Sequence, residues 1–279
     1  GGCAKGERRF TDPVSFPVSA YYKPKDENDR TLVFESRFES GNLQLVHKQS
    51  DSEYDLVLQN DINSKGHTQW FYFRVANVKK GQKVKFNMLN MIKSKSLYND
   101  GMKVLIYSEK RQEQPKLKPE QKGWARGGED LSYYQNNYRK EDANVNKFLG
   151  AQRCYYTFTF AHTFEHDDDV VYFSYSQPYT YSNLTEDLNA IEAKKLNYVT
   201  RNTLCRTIAG NKCEYLTITN RVPIEQDRKK QGVVISARIH PGESNASFMM
   251  KGAIDFLISD DPKACELRDK FVFKVIPML

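Results

Sequence analysis

The stretch Val233-Val-Ile-Ser-Ala-Arg-Ile-His-Pro-Gly-Glu243 decides how this chain reads. Its apolar residues up to Ile239 predict a buried strand. The four residues that follow, His240-Pro241-Gly242-Glu243, predict a tight turn. Pro presets φ at the second position and Gly accepts positive φ at the third, which favours a type II turn. Such a turn brings its outer residues within about 7 Å of each other. Here those residues are an imidazole and a carboxylate, both good zinc ligands. Open α/β sheets place ligands at such strand ends. A plainer role is also open to Glu243: a carboxylate favours the N-terminus of a helix, and one is predicted over Ser244–Ser259.

The segment from Val233 through Phe248 closely resembles the zinc-binding segment of the cytosolic carboxypeptidases, members of the M14 metallocarboxypeptidases. Phe34-Glu-Ser-Arg-Phe-Glu-Ser-Gly-Asn-Leu43, His67-Thr-Gln-Trp-Phe-Tyr-Phe-Arg-Val75 and Pro178-Tyr-Thr-Tyr181 resemble that family's amino-terminal domain. Thr203-Leu-Cys-Arg-Thr-Ile-Ala-Gly210 and Phe271-Val-Phe-Lys-Val-Ile-Pro-Met-Leu279 resemble early catalytic-domain segments. The likeness runs from about Thr31 to Leu279, nearest to the type 2 and type 3 branch. It implies removal of glutamates from polyglutamate side chains of tubulin or similar acidic tails. It also implies Zn²⁺ as cofactor and His240 and Glu243 as metal ligands. The third ligand, the general base and the substrate-gripping arginines are expected beyond Leu279, so no catalytic residue is assigned within the chain. The implied location is cytoplasmic, at microtubules, cilium or basal body.

The remaining histidines are His47, His67, His162 and His166. The spacing of His162 and His166 suits a metal on a helix, but Cys154–Phe164 alternates like a strand. At about 3.3 Å rise per residue the two would stand roughly 13 Å apart. His67 reads better as a turn residue beside Trp70.

The chain has 279 residues, 39% hydrophobic and 28% charged, as in a folded protein. Aromatics reach 13%, which favours a β-rich portion. No run approaches the ~18 apolar residues of a membrane span. The cysteines, Cys3, Cys154, Cys205, Cys213 and Cys265, are scattered and form no Cys-x-x-Cys, so free thiols are expected, with Cys205 and Cys213 able to face each other across a hairpin. The net charge of +7 favours acidic partners. Lys79-Lys-Gly-Gln-Lys-Val-Lys85, with Lys93 and Lys95, is a candidate basic patch, though such lysines also guard strand edges. No nucleic-acid motif is present, and an acidic peptide fits better than nucleic acid.

Residues 1–30, with Pro13, Pro17 and Pro24, read as an extended arm. From 31 to 181, short strands separated by turns predict an antiparallel β-sandwich. Strands are expected at Leu43–Lys48, Tyr54–Gln59, Trp70–Asn77, Val84–Met91, Lys103–Ser108, Leu131–Tyr138, Tyr155–Phe164 and Val170–Ser176. The segment Arg111–Asp130 reads as a loop. Trp70-Phe-Tyr-Phe73 is better suited to the core than to ligand stacking. From 182 to 279 the pattern is that of the first, incomplete part of an α/β metallocarboxypeptidase domain. A capping box of Asn183 and Glu186 opens a helix over Leu184–Asn197. Strands follow at Leu204–Ala209 and Tyr215–Thr219, with a turn at Gly210-Asn211. The helix after the motif is expected to bury Phe248, Met249, Ala253, Phe256 and Leu257. The final strand, Phe271–Pro277, reads as an interior strand, with its edge either exposed or covered by further residues. A non-catalytic tubulin-binding module built on the sandwich is the alternative reading, and a nucleic-acid-binding β domain ranks last.

Overall fold

Alternation of inward and outward side chains organises the first part of the chain. Glu53–Leu58 and Tyr72–Ala76 both alternate half-buried and buried residues, as a strand on a core must. The computed structural model describes residues 16–17, 22–61, 67–118, 122–139, 154–221 and 229–279. Most of the expected arm, with Cys3, lies outside those residues. The chain divides into two compact units, Gly1–Tyr175 and Ser176–Leu279.

The first unit contains β1 Phe16–Pro17, β2 Val33–Glu35, β3 Leu43–Ser50, β4 Glu53–Leu58, β5 Tyr72–Ala76, β6 Lys83–Met91 and β7 Val104–Ser108. One helical turn, α1 Glu109–Gln112, precedes β8 Ala125–Gly127, β9 Glu129–Arg139, β10 Cys154–Thr163 and β11 Val171–Ser174. They form a six-stranded sheet, β1-β3-β4-β6-β10-β9, and a five-stranded sheet, β2-β5-β11-β7-β8. Pairing is antiparallel except between β4 and β6, which run parallel. All eight expected strands are present, and β1, β2 and β8 are additional. The predicted loop Arg111–Asp130 therefore holds part of α1, β8 and the start of β9 in its described portion.

Both sheets contribute phenylalanines to one core. Phe86 of β6 lies 5.2 Å, centroid to centroid, from both Phe160 and Phe173. Such pairs add about 0.5–1.5 kcal/mol beyond area burial. Trp70-Phe-Tyr-Phe73 splits by face. Phe71 and Phe73 are fully buried, whereas Tyr72 packs outside the sheet against Phe38, Trp124 and Tyr172. The Phe34–Leu43 segment proves structural. Ser36 Oγ accepts from the Leu43 N–H and donates to the Tyr72 carbonyl, each at 2.9 Å. A Cβ on Gly41 would lie 2.2 Å from the Ser36 carbonyl oxygen, so only glycine fits there. Cys154 is disulfide-bonded, contrary to the expectation of free thiols, which holds for Cys205, Cys213 and Cys265.

The second unit contains α2 Tyr181–Ala193, β12 Val199–Arg206, β13 Lys212–Ile218, β14 Gln231–Ser236, α3 Ser244–Leu257, α4 Pro262–Lys270 and β15 Phe271–Ile276. Its sheet has the order β12-β13-β15-β14, with β14 and β15 parallel and the other pairs antiparallel. Three expectations change. The helix α2 starts a turn earlier than predicted, because Thr180 and Asn183 form the capping box. The first hairpin strand lies nearer the N-terminus, with Gly210 taking φ 84° in the turn. The motif strand β14 is an edge strand with Val234 70% exposed, so its apolar sequence does not signal burial here. The final strand β15 is interior, as its sequence suggests, and is bonded on both sides.

The core face of α3 is also displaced. Met250, Ile254 and Leu257 are buried, while Phe248, Met249 and Phe256 are exposed. Spacings of four and three select one helical face, and the expected set straddles its flank. Helix α4 was not anticipated. Its signal is Asp261-Pro262: the aspartate accepts the Lys263 N–H at 2.8 Å as N-cap, and proline occupies the first turn.

Candidate metal centre

The site grows from the end of β14. Parallel pairing carries β14 to Ser236 opposite Ile276. The Ala237 N–H then donates to Ile276 O, and the Leu279 N–H donates to Ala237 O, both at 3.1 Å. At Arg238 the chain turns sharply with φ 58°, an uncommon conformation for a non-glycine residue. The next bend is the predicted turn. The Glu243 N–H donates to His240 O at 3.1 Å, closing the four residues His240 to Glu243. The expected type II geometry is not adopted, since Gly242 is not among the residues with positive φ. The left-handed step falls on Arg238 instead.

Arg238 is the residue at this turn that the sequence did not single out. Its guanidinium donates twice to Pro241 O, at 3.0 and 2.9 Å, and so holds the turn from its inner side. The same group donates to Tyr179 O at 3.0 Å and to Ser247 Oγ at 2.9 Å. Burial lowers its pKa from the ordinary arginine value, and the guanidinium remains charged. The available signal was an arginine two residues before the histidine in an otherwise apolar strand.

His240 and Glu243 are both solvent-exposed. Glu243 occupies the N-cap of α3, yet its side chain makes no capping hydrogen bond. Its carboxylate is therefore not consumed by the helix end. Behind the turn, Ser244 is fully buried and donates to Ser176 Oγ at 2.9 Å. Tyr179 stacks edge-on against Phe248 at 5.3 Å and donates to Asp187 at 2.7 Å. Lys251 donates to the other oxygen of Asp187 at 2.6 Å. A helix, a turn and the preceding segment thus share one hydrogen-bonded frame.

The donor chemistry suits zinc, which takes imidazole nitrogen and carboxylate oxygen. The turn offers two such arms. Among the described residues, no three His, Cys, Asp or Glu side chains group together as a metal site. His162 and His166 do not serve as a pair. His162 packs edge-on against Phe164 and Phe173 in the first unit, and His166 Nε2 lies 2.9 Å from Gln114 Nε2. Half of the candidate lysine patch is ion-paired: Lys79 with Asp168, Lys83 with Glu129 and Asp130, and Lys85 with Glu53.

The chain combines a β-sandwich unit with a mixed sheet that ends a strand on a His-x-x-Glu turn, and its matches place it in the zinc carboxypeptidase class. The zinc carboxypeptidase family profile matches residues 184–279, and the cytosolic carboxypeptidase N-terminal domain profile matches residues 34–140. Cytosolic carboxypeptidase 2 of Xenopus tropicalis is 45% identical over 91% of this chain. Cytosolic carboxypeptidase 4 of Homo sapiens and cytosolic carboxypeptidase 3 of Mus musculus are each 42% identical, over 95% and 92% of it. The chain belongs to the cytosolic carboxypeptidase family, a family of metallocarboxypeptidases. It spans 25%, 24% and 24% of the length of those three relatives.

Solved structures share the fold. A metallo-carboxypeptidase from Burkholderia cenocepacia aligns with TM-score 0.64 at 23% identity, covering 89% of this chain and 56% of that one. A metallo-carboxypeptidase from Pseudomonas aeruginosa, in complex with (2-guanidinoethylmercapto)succinic acid, aligns with TM-score 0.60 at 20% identity, covering 88% and 54%. No helix among the described residues is long and apolar enough to cross a membrane.

Proposed function

We propose that this chain carries two of the zinc ligands, His240 and Glu243, of a cytoplasmic carboxypeptidase that trims glutamates from acidic protein tails such as those of tubulin. The observation that carries the reading is the closed turn, with its 3.1 Å hydrogen bond and the guanidinium of Arg238 beneath it. When bound, zinc polarises the scissile carbonyl and activates a water. Glu243 serves as a ligand in this scheme and not as the base. Arg238 fixes the spacing of the two donors by holding Pro241, and the net charge of +7 favours encounter with acidic chains.

Two donors fall short of the three protein ligands of a catalytic zinc site. Residues 1–279 alone are therefore expected to bind zinc weakly and to leave peptide glutamates uncleaved. Steady turnover of a polyglutamylated peptide by the purified chain, abolished by His240→Ala, would refute this.

A second reading is favoured by the outward aromatic set of Tyr72, Trp124 and Tyr172, because tyrosine and tryptophan are enriched at protein interfaces. It assigns the sandwich a non-catalytic tubulin-binding role at microtubules or cilia. Co-sedimentation with microtubules without bound metal supports that role. Stoichiometric zinc favours instead a metal site completed by another chain.

A further inference from the structure

Cys205 and Cys213 are register partners across the β12–β13 hairpin. Opposed residues of antiparallel strands stand about 4.5–5.5 Å apart at Cα. That lies inside the ~4.4–6.8 Å window that a disulfide spans. Both cysteines are free thiols.

The turn holds them in register. The Thr207 N–H donates to Asn211 O at 2.8 Å, and the Gly210 N–H donates to Thr207 O at 2.9 Å. Gly210 supplies the left-handed φ of 84°, and Arg206 donates to its carbonyl at 2.8 Å.

The pair is asymmetric. Cys205 is exposed, whereas Cys213 is buried and donates to Met278 O at 3.5 Å. Burial pushes the Cys213 thiol pKa up, and Cys205 adds to the effect. Solvent therefore meets one sulfur first and the second stands behind it, the arrangement of an attacking and a resolving thiol.

We propose that Cys205 and Cys213 form a peroxide-responsive dithiol that closes to a disulfide across the hairpin. The Cys205 thiolate attacks one oxygen of a hydroperoxide and the O–O bond breaks. Cys205 becomes a sulfenic acid, and the departing oxygen leaves as water or alcohol after taking up a proton. The Cys213 sulfur then attacks the sulfenic sulfur. The S–S bond forms, the S–O bond breaks, and the hydroxyl leaves as water with the Cys213 proton. Two electrons pass from the thiols to the hydroperoxide, and a dithiol reductant reverses the reaction.

Closure removes the S–H donor from the Met278 carbonyl. The next residue, Leu279, donates its N–H to Ala237, at the strand end that leads to His240.

The test is treatment of the reduced full chain with hydrogen peroxide, alkylation of the remaining thiols, and peptide mapping by mass spectrometry. A peptide pair linked through Cys205 and Cys213 is expected, lost after reduction with dithiothreitol, with Cys265 still alkylated. In Cys205→Ser, a change at an exposed position, Cys213 should remain alkylatable after the same treatment and denaturation. The proposal is overturned if Cys205 advances to sulfinic acid while Cys213 stays alkylatable. It is equally overturned if Cys205 links to Cys265, or if neither thiol reacts.

Discussion

Arg238 shows how much one side chain can settle. A left-handed φ and a half-buried guanidinium are costly features, and here they serve a turn that carries the two candidate ligands. Arg238→Ala is expected to lower stability by about 1–3 kcal/mol, because the Pro241 and Tyr179 carbonyls lose a charged donor. Thermal unfolding checks this, and Arg238→Lys should recover only part of the loss since it lacks the planar fork. His162 makes a separate prediction. Burial lowers its pKa against the opposing pull of Glu165, Glu129 and Asp169, and Arg111 and Arg126 line the same cavity. Above the ordinary histidine value of about 6.5, the folded and unfolded chains both hold a neutral imidazole. Below it the unfolded chain takes up a proton that the fold resists, so stability falls as pH drops. Melting temperatures measured from pH 8 to pH 5 should therefore decline less steeply in His162→Gln than in the parent.

At the scale of elements, strands were legible because they alternate with a period of two, and every expected strand in the first unit is present. Helix starts and faces were harder. Thr180 and Asn183 satisfy the capping pattern as well as the pair chosen from sequence, and only geometry separates them. On α3, large apolar residues drew the eye to Phe248, Met249 and Phe256, yet the buried face includes the small residue Ser247 beside Met250, Ile254 and Leu257. Strand β14 reads as buried from its valines, but the described sheet gives it one neighbour. The hairpin β12–β13 rests on a pair that no pattern announced. Arg201 donates to both oxygens of Glu214, at 2.9 and 2.7 Å, and Glu214 is only 5% exposed. Arg201→Ala leaves that carboxylate uncompensated and should cost about 3–5 kcal/mol. Replacing both residues by apolar ones, as in Arg201→Met with Glu214→Leu, should recover most of it in urea unfolding. A double variant as unstable as Arg201→Ala would contradict this account of the pair.

Across the whole chain, the division of labour follows from packing. Each unit has its own apolar cluster, aromatic in the first and mainly aliphatic in the second. The family was legible from long segments whose structural reasons are now visible, such as the Ser36–Gly41 contact and the His240–Glu243 turn. The contacts of Arg238 were not legible, because they depend on a left-handed backbone angle and on the carbonyl of Tyr179, distant in sequence. The most direct test of the two-donor site is titration with Co²⁺ in place of Zn²⁺, followed by paramagnetic broadening of amide signals. Broadening should begin around His240 to Glu243 and disappear from that turn in both His240→Ala and Glu243→Gln. Broadening centred elsewhere in the chain, or unchanged at the turn in those variants, would contradict the assignment.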